Sequence, residues 1–135
     1  MSAIDQAARR REMVERQIAA RGIDDPLILD AFRAVPRELF MPAELADFAY
    51  DDGPLPIGRC QTISQPYIVG LTIGAAGIGP GSHVLEVGAG SGYAAAIIGC
   101  IARSVVAVER VPELAAAARA RMAALGYANV EIVKG

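Results

Sequence analysis

The most constraining feature of this 135-residue sequence is a short apolar run that leads directly into three closely spaced glycines. Residues 84–87 (VLEV) have the composition of a short buried strand, and Gly88, Gly90 and Gly92 follow it. An apolar, alanine-rich run over residues 93–102 then predicts a helix. Glycines relieve a tight strand-to-helix turn and also let a ligand approach the main chain closely. The loop alone therefore leaves both interpretations open.

The same pattern of strand and helix is repeated to the end of the sequence. Residues 105–108 predict a second strand, residues 112–125 a helix closed by Gly126, and residues 130–133 a third strand. A β-α-β-α-β order is the half-unit of a doubly wound parallel sheet with right-handed crossovers. The fold class is predicted to be α/β.

The first half of the sequence predicts helices around a long, ordered loop. One helix over residues 2–21 ends at Gly22, and a second begins at Pro26. Prolines and glycines crowd residues 36–66, and a buried helix is predicted over residues 67–78. We expect residues 1–81 to form an N-terminal region of helices and a long functional loop, and residues 82–135 to form the first half of the sheet domain.

Composition excludes several classes of protein. The formal charge of −2 gives no basic surface for nucleic acid, so no nucleic-acid partner is expected. The two cysteines do not have metal-ligand spacing, which predicts no metal site and favours the reducing cytoplasm. No apolar stretch reaches the ~20 uninterrupted residues that span a bilayer, so no membrane partner is expected.

The spacing of the glycines discriminates between nucleotide sites. A dinucleotide fingerprint needs a third glycine where this chain has Tyr93, which disfavours NAD. The pattern Gly88, Gly90, Gly92, preceded by Glu86, instead resembles motif I of the Rossmann-like methyltransferases. Glu109 ends the second predicted strand, where an acidic side chain can accept hydrogen bonds from two ribose hydroxyls.

The segment before the sheet carries a more specific resemblance. Residues 49–58 (AYDDGPLPIG) and 61–66 (QTISQP), together with Val35-Pro36-Arg37 and Phe40, resemble the protein-L-isoaspartate O-methyltransferase family. The resemblance extends from about residue 13 to residue 135. It implies a Rossmann-like sheet, S-adenosyl-L-methionine as cofactor, and methyl transfer to the free α-carboxylate of isoaspartyl residues in damaged proteins. Isoaspartyl-containing proteins or peptides are then the expected partners.

The resemblance also implies roles for individual residues. Ser64 matches the active-site serine, although a serine before Gln65-Pro66 could equally cap the following helix. Asp52 is interpreted as a loop brace rather than a reactant, and His83, at the start of the first sheet strand, as structural. The residues expected to bind the cofactor are Gln61, Thr62, Ile63, Glu86, Gly88, Gly90, Gly92, Glu109 and Arg110.

The sequence departs from the family pattern at two places. Cys60 stands where the family usually has glycine, and a positive φ there would strain the backbone by ~1–2 kcal/mol. The chain also stops after its third predicted sheet strand, where family members continue, so the resemblance implies a truncated chain. The first sheet strand would then be an unpaired edge that a homo-oligomer could cover. Two alternatives remain open, a non-catalytic oligomerising module and a related methyltransferase with another acceptor.

Overall fold

The N-terminal helices form where the sequence predicts them. The computed structural model describes residues 3–135, so residue 2 of the first predicted helix lies outside it. Helix α1 (Ala3–Met13) continues through a π-helical turn (Val14–Ile18) and a 3-10 turn (Ala19–Arg21) to Gly22, whose φ is 97°. Helix α2 (Pro26–Ala34) follows, and the Asp25 carboxylate caps it by accepting a hydrogen bond from the Leu27 amide.

The predicted loop contains regular structure that the sequence analysis missed. Two 3-10 turns (Arg37–Phe40 and Ala43–Phe48) are followed by an antiparallel hairpin of strands β1 (Leu55–Gly58) and β2 (Gln61–Ile63). The two residues of its turn, Arg59 and Cys60, have φ of 54° and 58°. Two consecutive positive φ values are the geometry of a type I′ hairpin turn, for which Asn-Gly is preferred. Cys60 therefore has the positive φ at which a residue other than glycine is strained.

The second half of the chain confirms the predicted α/β class and its element order. Strands β3 (His83–Val87), β4 (Ser104–Glu109) and β5 (Val130–Lys134) form a parallel sheet in the order β3-β4-β5. The connecting helices are α4 (Tyr93–Gly99) and α5 (Pro112–Leu125). Helix α4 is shorter than predicted. As expected from the sequence, β3 is an end strand of this sheet.

Two elements predicted to be buried are half exposed. Helix α3 (Pro66–Ala76) buries Val69 and Ile73, but Ile68 and Leu71 are each about half exposed. Strand β3 presents Leu85 and Val87 to solvent, with 66% and 82% of their surfaces exposed. Right-handed crossovers place both connecting helices on one face of the sheet, so apolar side chains on the opposite face are left uncovered.

Tyr93, the residue that breaks the dinucleotide fingerprint, joins the two halves of the molecule. Its wholly buried ring makes edge-to-face contacts with Phe40 and Phe32, with centroid distances of 5.5 Å and 6.3 Å. The buried side chains on both sides of residue 82 form one continuous cluster. The glycine loop is thereby anchored to the N-terminal helices.

Both cysteines are free, and both are exposed. Helix α4 ends at Gly99, so Cys100 lies at its exposed C-terminal cap. Within residues 3–135, no helix has the length and apolar character needed to cross a bilayer.

Candidate functional site

The hairpin and the glycine loop face each other across a pocket. Its small inner part, of about 70 Å³, shares Ser64, Glu86 and Gly88 with an adjoining groove of about 440 Å³ between α3 and β3. A larger polar groove lies between α1 and residues 47–52 and does not touch the glycine loop. The inner part is lined by six residues expected at the site, namely Thr62, Ile63, Ser64, Glu86, Gly88 and Gly90.

The three glycines of the loop have different roles. All have positive φ, namely 90° at Gly88, 56° at Gly90 and 89° at Gly92, a region that side chains disfavour. A Cβ atom on Gly88 would meet open space, whereas one on Gly92 would lie 2.9 Å from the Met122 side chain of α5. Gly88 therefore leaves room at the pocket, while Gly92 lets the loop pack against α5.

Glu109 is buried behind the glycine loop and bonded to it. Its Oε1 accepts a hydrogen bond from the Gly90 amide at 2.8 Å, and its Oε2 accepts one from the Val111 amide at 2.9 Å. Only 5% of the residue is exposed. The carboxylate thus links the glycine loop to the beginning of α5. Contact with ribose hydroxyls remains a prediction for this residue.

Glu86 places a carboxyl group against the pocket. Its Oε1 is buried and has no hydrogen-bond partner among residues 3–135. Burial and the nearby Glu109 carboxylate raise the pKa of Glu86 to about 7. A buried carboxyl group without a donor favours its neutral form until a donor or a cation reaches it. Glu86 can therefore respond to the charge of a bound ligand.

Ser64 lies at the mouth of the pocket with its side chain exposed. The helix-cap alternative is not supported, because Gln65 is the N-cap residue of α3 and no side chain caps that end. The Ser64 carbonyl oxygen accepts a hydrogen bond from Arg37 Nη2 at 3.0 Å. This contact fixes the main chain of Ser64, a residue that lines the pocket.

Asp52 has the surroundings of a brace. Its carboxylate is paired with Arg21 and accepts a hydrogen bond from Gln65 Nε2 at 2.7 Å. The Arg21 guanidinium, followed by Gln65, lowers the pKa of Asp52 to about 2. The Arg21 guanidinium also lies over the Tyr67 ring, with Cζ 5.3 Å from its centroid. Asp52 therefore ties the loop before the hairpin to the beginning of α3.

Other residues expected at the site do not line this pocket. Gln61 is at the start of β2, and Arg110 is exposed beyond the end of β4. His83 begins β3 at the end remote from the glycine loop, where its Nδ1 lies 2.6 Å from Ser104 Oγ. Within the part of the chain that the structure describes, no cluster of three His, Cys, Asp or Glu residues could hold a metal ion.

Sequence analysis missed two arginines that hold the walls of the site. Arg37 reaches the main chain at Ser64, although the sequence analysis used it only as part of a motif. Arg121 of α5 donates from Nη1 to the Ser91 carbonyl at 3.0 Å and from Nε to the Leu39 carbonyl at 3.1 Å. Nothing in the sequence around either arginine signals that its guanidinium group turns inward.

The sequence of the chain is similar to that of one described protein family. The family model described as protein-L-isoaspartate(D-aspartate) O-methyltransferase matches residues 8–135. Protein-L-isoaspartate O-methyltransferase 1 of Rhodopseudomonas palustris (strain HaA2) is 56% identical over 129 residues, which are 96% of this chain and 53% of that protein. The chain therefore spans about half the length of the curated relatives it matches.

Two solved structures have a similar fold. One protein-L-isoaspartate O-methyltransferase is superimposed with a TM-score of 0.82 at 31% identity, covering 93% of this chain and 42% of that one. A beta-aspartate methyltransferase from Plasmodium falciparum, in complex with S-adenosyl-L-homocysteine, gives a TM-score of 0.78 at 24% identity, covering 93% and 62%. The second likeness is evidence for the fold alone.

Proposed function

Because the chain belongs to the protein-L-isoaspartate(D-aspartate) O-methyltransferase family, we propose that it carries the S-adenosylmethionine site of an enzyme that methylates isoaspartyl residues. The acceptor is the free α-carboxylate of an isoaspartyl link in a damaged protein. The observation that carries the proposal is the convergence of Thr62, Ile63 and Ser64 with the glycine loop on one pocket.

The residues at the pocket are suited to binding and orientation. S-adenosylmethionine supplies the methyl group, and Gly88 and Gly90 let the main chain approach it, with Glu109 as the acceptor for its ribose. Glu86 provides a carboxylate for a positively charged ligand. The remaining positions proposed to contribute to the cofactor site are Gln61, Thr62, Ile63, Gly92 and Arg110.

Acceptor chemistry needs little beyond positioning. An α-carboxylate has a reference pKa near ~3.5, so it is already ionised at neutral pH and needs no general base. We assign Ser64 the role of orienting that carboxylate through its hydroxyl group. Holding the two reacting groups in line can contribute up to roughly 7–11 kcal/mol to lowering the barrier. This role agrees with the exposed position of Ser64 at the mouth of the pocket.

The open side of the sheet supports a proposal about assembly. A second copy of the chain covers the β3 edge and the exposed side chains of Leu85 and Val87. A free strand edge presents unpaired amides and carbonyls that favour association. The two exposed, unpaired thiols are consistent with a reducing compartment, and we propose the cytoplasm.

Cofactor binding and acceptor choice need separate experiments. Titration calorimetry of the chain with S-adenosylmethionine is expected to show saturable heat, and none at millimolar ligand would reject the cofactor site in this chain. Methyl transfer is measured with labelled cofactor and two peptides that differ only in an isoaspartyl or a normal aspartyl link. Labelling of the isoaspartyl peptide alone supports the assignment, and equal labelling of both rejects it.

A serine substitution tests the role of Ser64. We expect Ser64→Ala to reduce methyl transfer at least tenfold while cofactor affinity changes little. Ser104→Ala is the matched control, because Ser104 lies beside His83 at the remote end of the sheet. An unchanged rate in Ser64→Ala would remove Ser64 from the site.

A further inference from the structure

Among the residues that the structure describes, Arg37 is the largest wholly buried side chain. It donates hydrogen bonds from Nε to the Ala49 carbonyl at 2.6 Å and from Nη2 to the Ser64 carbonyl at 3.0 Å. Its Cζ atom lies 4.8 Å from the centroid of the Tyr93 ring. One guanidinium group therefore contacts three segments that are far apart in the sequence, namely the loop before the hairpin, the residue after β2 and the first residue of α4.

A charge in this position constrains all three segments. Removing a guanidinium from water is costly unless hydrogen bonds and an aromatic face replace the lost hydration. Burial lowers the pKa of Arg37, yet an arginine side chain stays protonated in proteins. Separating any of the three segments from Arg37 would leave a buried cation with fewer partners. The guanidinium thus favours the single arrangement in which all of them meet.

That arrangement defines the proposed cofactor site. Ser64 is on the hairpin side of the pocket, and Tyr93 directly follows the glycine loop on the other side. We infer that Arg37 is a positioning residue, which holds the Ser64 segment against the beginning of α4 and so sets the width of the pocket. The identity of the ligand in the pocket rests on the proposed function. The contact of Arg37 with the two segments rests on the distances given above alone.

Arg37→Lys separates geometry from charge. Lysine keeps the positive charge but replaces the planar fork by a single ammonium group with a shorter overall reach, which cannot bond two carbonyls and lie over the ring. We expect amide hydrogen exchange at residues 61–65 to become at least tenfold faster while exchange in β4 changes little. The dissociation constant for S-adenosylmethionine, corrected for the folded fraction, is expected to rise at least tenfold.

Two control variants distinguish positioning from general stability. Val105→Ala removes buried methyl groups at the end of β4 remote from the glycine loop. Denaturant titration compares its loss in unfolding free energy with that of Arg37→Lys. Arg119→Lys removes a guanidinium bond to the Ile132 carbonyl, away from the hairpin. Both are expected to retain cofactor affinity within twofold. The inference is rejected if Arg37→Lys also retains cofactor affinity within twofold and amide hydrogen exchange at residues 61–65 is unchanged in that variant.

The unsubstituted chain provides a measurement that does not depend on a variant folding. We expect the Arg37 Nε–H resonance to exchange slowly with water and to shift during titration with S-adenosylmethionine, while the Arg119 Nε–H resonance stays in place. Binding that shifts the glycine-loop resonances but leaves Arg37 unmoved contradicts the inference and leaves the proposed function intact. If the cofactor does not bind at all, the proposed function fails, and hydrogen exchange still decides whether Arg37 fastens the segments.

Discussion

The carboxylate of Glu109 accepts a hydrogen bond from the backbone amide of Gly90 at 2.8 Å. This bond joins the end of one strand to the loop that follows its neighbour. With the second oxygen on the Val111 amide, one side chain fixes both loops at this edge of the sheet. The glycine loop is therefore held in shape from behind as well as by its own backbone geometry.

Glu109→Gln tests this connection. The amide group can accept a hydrogen bond from only one of the two backbone N–H groups and turns a donor towards the other. Leaving a buried donor unsatisfied costs about 1–3 kcal/mol, which we expect as a loss in the free energy of unfolding by denaturant titration. We also expect cofactor affinity to fall at least tenfold.

Glu113→Gln is the matched control for Glu109→Gln. Glu113 is about 60% exposed and lies 3.5 Å from the Arg59 guanidinium, so its loss should change the unfolding free energy by less than about 0.5 kcal/mol. Equal effects of the two substitutions would contradict the structural role of Glu109.

Glu86 makes stability depend on pH in an unusual direction. Its pKa is raised from 4.5 to about 7 in the folded chain, so the folded state holds the proton more tightly. Below pH 4.5 the group is protonated in both states and adds no penalty. Between that value and about 7 the unfolded state loses its proton first, so stability falls as pH rises. The unfolding free energy lost over this range, complete above about pH 7, is roughly 3 kcal/mol.

Glu86→Gln isolates this effect, because a neutral amide removes the titration. We compare the unfolding free energy of the variant with that of the original chain at each pH. We expect this difference to shift in favour of the variant as pH is raised from 4.5 to 8. Unfolding titrations of both chains across that range measure the difference. A constant difference would show that Glu86 ionises in the folded state much as it does in the unfolded one.

Cys60→Gly is expected to stabilise the hairpin. The positive φ of 58° costs a side-chain-bearing residue about 1–2 kcal/mol, and glycine loses roughly 0.5–1 kcal/mol more entropy on folding. The unfolding free energy should therefore rise by about 0.5–1 kcal/mol. Cys60→Ala, which keeps the Cβ atom, should show no such gain, and an equal gain in both variants would attribute the effect to the thiol.

Val87→Lys tests the proposed second copy on the open side of the sheet. Val87 is 82% exposed, so the change should leave the unfolding free energy within about 0.5 kcal/mol. A lysine there opposes association, and we expect the dimer dissociation constant from sedimentation to rise at least tenfold. Leu27→Lys places the same charge on an exposed leucine of α2. A monomeric original chain, or equal weakening by both variants, would reject this surface.

Sequence patterns predicted the parts of the fold that are long and periodic. The parallel strands and their connecting helices follow from apolar runs, with Gly92 before α4, Pro112 at the beginning of α5 and Gly126 at its end. The hairpin escaped prediction because its strands are only four and three residues long, one contains Pro56, and its turn is Arg59-Cys60 rather than Asn-Gly. Short irregular elements of this kind depend on tertiary contacts.

The site was predictable where it depends on backbone shape, and less so where it depends on buried charge. Positions such as Gly88 and Ser64 belong to motifs that can be recognised in one dimension. The burial of Arg37 could not be foreseen, because arginine is almost always a surface residue and its carbonyl acceptors come from distant segments. The engagement of Glu109 by two amides likewise becomes visible only in three dimensions.

The uncovered face of the sheet also matters while a longer chain of this kind is being synthesised. Relatives of this chain are nearly twice as long, and a ribosome adding about 5–20 residues per second needs roughly 5 to 25 s to make the rest of such a protein. A sheet that folds during that interval would expose apolar side chains, such as Leu85, Val87 and Val106 of this chain, before synthesis is complete. Exposed apolar side chains and a free strand edge would make such a partly synthesised chain prone to aggregation.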